Sequence, residues 1–175
     1  MMDYINPFTI GLALMLGWYL LRTRRWVGVP ASSIRVIDGD TFMVLLSNGD
    51  WIKIRPTGYD APEMTQKGGK MATAEMRRLA KQGMMIRERH LDMYHRIVAD
   101  VRIGMKGKGG SLSRHMLWAG LAHSTNESGV LRLLFTLIPR LMGKGIWKNS
   151  WLGLRVTNPR IHRAAKRWME RHHGY

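Results

Sequence analysis

The chain has 175 residues, no Cys, and 28 Lys plus Arg against 12 Asp plus Glu, a formal net charge of +16. The length suits one domain of about 100–150 residues with appendages, and the missing cysteines exclude disulfides, Cys-ligated zinc, iron–sulfur clusters and a thiol nucleophile. With 45% hydrophobic residues the chain is too apolar for a disordered basic tail, and its charge calls for a polyanionic partner, either nucleic acid or an anionic membrane surface. The excess is uneven. Residues 101–175 carry 14 basic and 2 acidic side chains, whereas residues 31–100 carry 11 and 9.

From Tyr4 to Leu21 no residue is charged, and Phe8 to Leu21 is nearly all apolar, with Arg22, Arg24 and Arg25 directly after it. This predicts a membrane-spanning helix over residues 5–22, inside an anchor and basic flank at 1–27. The strongly apolar part is only about 20 Å long, so Ile5, Trp18, Tyr19 and Trp26 would have to help at the interfaces. A cleaved signal peptide is the main rival, weakened by Asp3 and by the lack of Lys or Arg before the apolar run; a buried core helix is the third reading. Arginines confined to the C-terminal flank place the remaining chain in the cytoplasm by the positive-inside rule.

Residues 33–56 read as strands, with Asn48-Gly49 as a hairpin turn. A two-residue turn there sets Arg55 opposite Phe42 and puts the side chains at 40, 42 and 55 on one face, so that Asp40 and Arg55 are diagonal neighbours. That contact alone could be a plain cross-strand ion pair. A Pro-containing loop at 60–65 precedes a helix over Lys70–Gln82, whose apolar side is read as Met71, Ala74, Met76, Leu79 and Ala80. Strands are expected at Met84–Arg89 and Ile97–Ile103, and a helix at Ser111–Gly120 with Ser111 as its cap. The apolar stretch Val130–Met142, interrupted by Pro139, is either extra core packing or a face for a membrane or a protein partner. Residues 151–175 form a basic tail running into an exposed helix.

Three separated motifs appear in order: Val36-Ile37-Asp38-Gly39-Asp40-Thr41; then Arg55 followed by Asp60-Ala61-Pro62-Glu63; then Asp92-Met93-Tyr94-His95-Arg96. Farther on come Ser111-Leu-Ser-Arg-His-Met-Leu-Trp-Ala-Gly-Leu-Ala-His123 and Gly145-Ile146-Trp147. This ordered set, over about residues 33–148, resembles the staphylococcal nuclease (thermonuclease) family. The resemblance implies an α+β, mainly β domain at 31–150, a five-stranded OB-fold barrel with packed helices. It further implies a Ca2+ site with Asp40, Asp60 and the backbone carbonyl of Ala61 as ligands. Glu63 would be the general base, and Arg55 and Arg96 would hold the phosphate and stabilise the transition state.

Asp38 and Thr41 would support the ligands, with Asp38 equally readable as a turn former. Tyr94, Lys67 and Lys70 would contact substrate, the two lysines as part of a basic flap, although a core or edge tyrosine and a solvated connector are the bland readings. Met93 departs from the family, which has a Lys there. The implied activity is Ca2+-dependent hydrolysis of DNA and RNA with little base preference, leaving 3′-phosphate ends. The alternative is a membrane-tethered nucleic-acid-binding module without turnover, and a lipid-binding structural protein leaves the motifs unexplained. A calcium-dependent nuclease belongs more naturally outside the cytoplasm, against the charge flank.

Overall fold

The computed structural model describes residues 25–125, 130–148 and 158–173. In chain order the strands are β1 Val27–Val29, β2 Ile34–Val36, β3 Phe42–Leu45, β4 Trp51–Pro56, β5 Tyr59–Asp60, β6 Met84–Leu91, β7 Ile97–Ile103 and β8 His123–Ser124. The helices are α1 Gly69–Ala80, α2 Leu112–Trp118, α3 Val130–Leu141 and α4 Pro159–His173.

Six strands form one curled half-barrel in the order β1-β6-β7-β4-β3-β2, and β5 pairs with β8 separately. All neighbours are antiparallel except β4 and β7. The six-stranded sheet exceeds the five strands expected because the first strand is broken: Pro30 is extended and the turn Ala31–Ser33 follows, so β1 pairs with β6 and β2 with β3. One stretch of chain thereby supplies both edges of the sheet.

The β3–β4 hairpin differs from the expected register by one residue, with Phe42 opposite Ile54 rather than Arg55. The reason is the turn. Gly49 donates to the Leu46 carbonyl at 3.0 Å, Leu46 donates to the Asp50 carbonyl at 2.8 Å, and Gly49 has φ +90°, which makes a three-residue loop with a left-handed glycine. Phe42 and Ile54 therefore face the core together, 0% and 3% exposed, and Arg55 points to the other side. Asp40 still reaches Arg55 because it lies on the turn before β3, outside the pleat.

In α1 the buried stripe is Gly69, Ala72, Thr73, Met76, Leu79 and Ala80. Met71 is 52% exposed and Ala74 is exposed too, contrary to the face expected for them. Thr73 fits the buried stripe because its hydroxyl donates to the Gly69 carbonyl at 2.9 Å, satisfying a polar group the sequence pattern counts against it. Ser111 stands at the start of α2, but its hydroxyl pairs with Ser113 at 2.9 Å instead of capping the helix. Glu75 on α1 meets His115 Nε2 on α2 at 2.6 Å, joining the two helices.

Helix α3 continues through Pro139 to Leu141 and leaves Leu134, Leu137 and Leu141 exposed. Among the described residues no helix is long and apolar enough to cross a membrane, and the helix expected over residues 5–22 lies outside the described residues, as does all of the 1–27 segment but its last three positions.

Candidate functional site

Five side chains expected to act together come from five places along the chain. Asp40 lies on the turn before β3, Arg55 on β4, Asp60 on β5, Glu63 in the loop after it, and Arg96 in the turn before β7. Asp40, Arg55, Glu63 and Arg96 line a cavity of about 490 Å3 together with Asp38, Thr41 and Tyr94. Asp60 lies beneath it, 2% exposed, and is reached through its arginine partners.

Local geometry explains the convergence. Asp38 and Ile37 both donate their N–H groups to the Thr41 carbonyl, at 3.1 and 3.0 Å, and Asp38 Oδ1 accepts the Asp40 N–H at 3.0 Å. This closes the Asp-Gly-Asp turn and aims Asp40 inward, so Asp38 is a turn former that also borders the cavity. Gly39 lets that turn sit against its neighbours, since a Cβ there would lie 2.7 Å from the Cβ atoms of both Ala61 and Ala72. Gly69 does the same beside the Glu63 loop, where a Cβ would lie 1.9 Å from the Glu63 carbonyl oxygen.

One guanidinium joins the two buried aspartates, with Arg55 Nη1 on Asp40 Oδ1 and Nη2 on Asp60 Oδ1. The Thr41 hydroxyl adds a hydrogen bond to Asp40 Oδ1 at 3.1 Å, and Ala61 donates its N–H to Asp40 Oδ2 at 2.9 Å. The resemblance gave Ala61 a role through its carbonyl; here its N–H is the group that meets Asp40. Across the cavity, Asp92 accepts the Tyr94 and Arg96 N–H groups, both at 2.9 Å, and Arg96 Nε at 2.8 Å, which fixes Arg96. Tyr94 is 59% exposed with the Arg96 guanidinium 5.2 Å from its ring centroid. Lys67 and Lys70 do not line the cavity: both are exposed, and Lys67 Nζ donates to the Lys148 carbonyl at 3.2 Å.

Sequence reasoning missed Arg163. From α4 its Nη1 donates to Glu63 Oε1 at 2.7 Å and its Nη2 binds Asp60 Oδ2, and Arg167, one turn on, lines the same cavity. The legible signal was an i, i+4 arginine pair on a basic helix in a chain whose motifs hold more carboxylates than arginines.

Charge is unevenly compensated across the two aspartates. Burial, the largest cause, pushes the Asp40 carboxyl up to about 7; Arg55 and the Ala61 N–H pull it down while Asp38 and Asp60 push it up. Asp60 is also penalised by burial, but its hydrogen bonds and charge contacts with Arg163 and Arg55 win and hold it below the usual carboxylate range. Two buried, converging carboxylates, one of them short of positive charge, have the chemistry that would suit a hard divalent cation. Among the described residues no group of three or more His, Asp or Glu side chains forms a metal cage.

Behind Asp60, His123 is 6% exposed, lies 5.0 Å from the Trp147 ring edge-on, and has a buried Nε2 without a hydrogen-bond partner. Burial first, and Arg140 second, lower its pKa from 6.5 to about 4, with Asp60 opposing. A base whose folded pKa is lowered contributes stability that is whole above about 6.5 and lost as pH falls toward about 4, here on the order of 3 kcal/mol. Urea unfolding across pH 4–7 is expected to give a flatter profile for His123→Leu than for the wild type. Asp40 acts with the opposite sign in this range but is present in both chains, so the difference between them isolates His123; parallel profiles would refute the burial argument.

Set against known proteins, the chain matches no family model and no curated protein.

Proposed function

We propose that the cavity is the active site of a divalent-cation-dependent phosphodiesterase that cuts DNA and RNA without reading bases, on an OB-type barrel. The observation that carries this reading is the Asp40–Arg55–Asp60 bridge, with Glu63 and Arg96 facing the same space. The barrel reading is supported by β1 and β2, consecutive in the chain yet on opposite edges of the sheet, as one bent strand closing a five-stranded barrel would be.

Asp40 and Asp60 would hold Ca2+, which supplies charge neutralisation to a bound phosphodiester. Glu63 would take the proton from the attacking water. Arg55 and Arg96 would grip the phosphate oxygens as negative charge builds on phosphorus, Arg96 oriented for this by Asp92. A pure binding surface gains nothing from buried acids, because carboxylates repel phosphate unless a cation intervenes. Plasmid DNA with Ca2+ is the test: the full chain in detergent should nick it, chelator should stop the reaction, and Asp40→Ala/Asp60→Ala should abolish it. Full activity in that double variant would sink the metal assignment.

Arg163 favours the second reading, a binding module without turnover, since it occupies Glu63 and Asp60. Under the phosphodiesterase reading it is a competitor: it holds Glu63 Oε1, leaving Oε2 to meet water, and the cation and the guanidinium would share Asp60. Arg163→Ala is therefore expected to lower the Ca2+ concentration for half-maximal cleavage by about tenfold, equivalent to about 1.4 kcal/mol. A cleavage titration in which the variant needs more Ca2+ than the wild type would reverse that role.

A further inference from the structure

A second cavity, of about 520 Å3, lies on the outer side of β6 and β7 and shares none of the first cavity's lining residues. Four arginines line it, Arg87, Arg89, Arg102 and Arg114, against the single carboxylate of Asp100. Asp100 is already engaged by three side chains: Arg87 through Nη2 at 2.7 Å and Nε at 3.2 Å, Arg89 Nε at 2.8 Å and the Thr57 hydroxyl at 2.7 Å. It orients the first two arginines without neutralising the group. Arg102 and Arg114 add two more guanidinium groups, and Lys106 and Lys108 stand exposed on the glycine-rich turn between β7 and α2. Four like charges around one acid favour occupation by an anion, and planar guanidinium forks suit phosphate oxygens. Trp26 adds a flat apolar wall, with the Arg87 and Arg102 guanidinium carbons 4.9 and 4.7 Å from its ring centroid.

The placement on β7 selects the kind of anion. Residues 96, 98, 100 and 102 alternate onto one face of the strand. Arg96 lines the first cavity, Asp100 and Arg102 line the second, and Val98 pairs with Arg55 between them. The six steps from residue 96 to residue 102 span about 20 Å, a distance that several linked phosphates of one strand cover and a single phosphate group does not. A mononucleotide or a lone headgroup cannot touch both cavities, whereas a nucleic-acid strand can.

We propose that this second cavity is a phosphodiester-backbone site that holds the nucleic-acid strand several nucleotides from the point of cleavage, an inference that rests on reading the first cavity as the cleavage centre. It makes affinity depend on substrate length, and it binds phosphate with no contribution to the chemical step.

The test measures binding of labelled single-stranded oligonucleotides to the full chain carrying Glu63→Gln, in detergent and Ca2+, where turnover is suppressed and the first cavity can hold a phosphate. Arg102→Ala/Arg114→Ala is expected to weaken a 16-mer at least tenfold and a dinucleotide less than twofold. The slope of log affinity against log salt should fall by about 1.4, two phosphate contacts at 0.7 each. Arg102→Lys/Arg114→Lys keeps the charge and should keep the slope, and a thermal melt matching the Glu63→Gln parent excludes unfolding as the cause. Equal losses for both lengths, or no loss for the 16-mer, would overturn the proposal. So would tighter binding of a short-chain phosphatidylglycerol than of the 16-mer, lost in the alanine variant, which would assign the cavity to a lipid headgroup. The expected length-dependent loss, where the chain with Glu63 intact cuts nothing, still supports the second site and sinks only the phosphodiesterase reading.

Discussion

Glu63→Gln is expected to slow Ca2+-dependent cleavage of plasmid DNA by about 10²–10⁴ while leaving KM for DNA within a few-fold. Glutamine keeps the size of the side chain and an oxygen that can accept from Arg163 Nη1, so the loop should hold its place. Its backbone anchors are untouched: the Glu63 N–H still donates to Gln66 Oε1 at 2.7 Å, and the Gln66 N–H to the Glu63 carbonyl at 2.8 Å. What is lost is a carboxylate able to take a proton from water. The loss should therefore fall on kcat, measured by single-turnover cleavage at saturating enzyme. A kcat within threefold of the wild type would remove Glu63 from the chemical step and leave the cavity without a general base, because its other carboxylates are committed: Asp38 to the turn and Asp40 to Arg55 and Ala61.

The convergence of these acids on one cavity was readable from the sequence because its parts are local. Asp-Gly-Asp-Thr forms a turn through its own backbone and side-chain hydrogen bonds, and Asp60 through Glu63 follow β4 within a few residues, so short-range motifs bring the acids close. The span of β7 was legible for a similar reason: Ile97, Ala99, Val101 and Ile103 alternate with outward-facing residues. The hairpin register was not, since Asn48-Gly49 signals a turn without fixing whether the loop has two residues or three. Asp40 met Arg55 for a reason other than the one given, its turn rather than its pleat. Arg163 lies 103 residues from the Asp60 it holds, and no local pattern carries a contact of that separation. The face of α1 was misjudged because Thr73 looks polar in sequence and becomes core-compatible only through its bond to Gly69.

The larger effect on folding is expected at Arg55. Its side chain is 17% exposed and those of Asp40 and Asp60 are 5% and 2% exposed, so Arg55→Met fills similar space but leaves buried negative charge with less compensation. Removing one partner of a buried ion pair costs about 3–5 kcal/mol. Asp60 retains Arg163, so the loss concentrates on Asp40, which keeps only the Thr41 hydroxyl and the Ala61 N–H. Its carboxyl already titrates near 7 because of burial, and loss of Arg55 raises it further. A carboxyl with a raised folded pKa holds its proton more tightly folded than unfolded, so stability falls as pH rises from about 4 through the folded pKa. The deficit of Arg55→Met relative to wild type should thus be small at pH 5, where Asp40 is protonated in both, and grow to about 1.4 kcal/mol by pH 8, one unit above the wild-type value, and further at higher pH. Millimolar Ca2+ at pH 8 should restore part of it, because a cation held by Asp40 and Asp60 replaces the missing charge and stabilises the folded chain by mass action. Urea unfolding in EDTA and in Ca2+ at the two pH values separates these contributions. A deficit independent of pH would mean that Arg55 matters for packing rather than charge, and a deficit untouched by Ca2+ would mean that the two aspartates do not bind the cation.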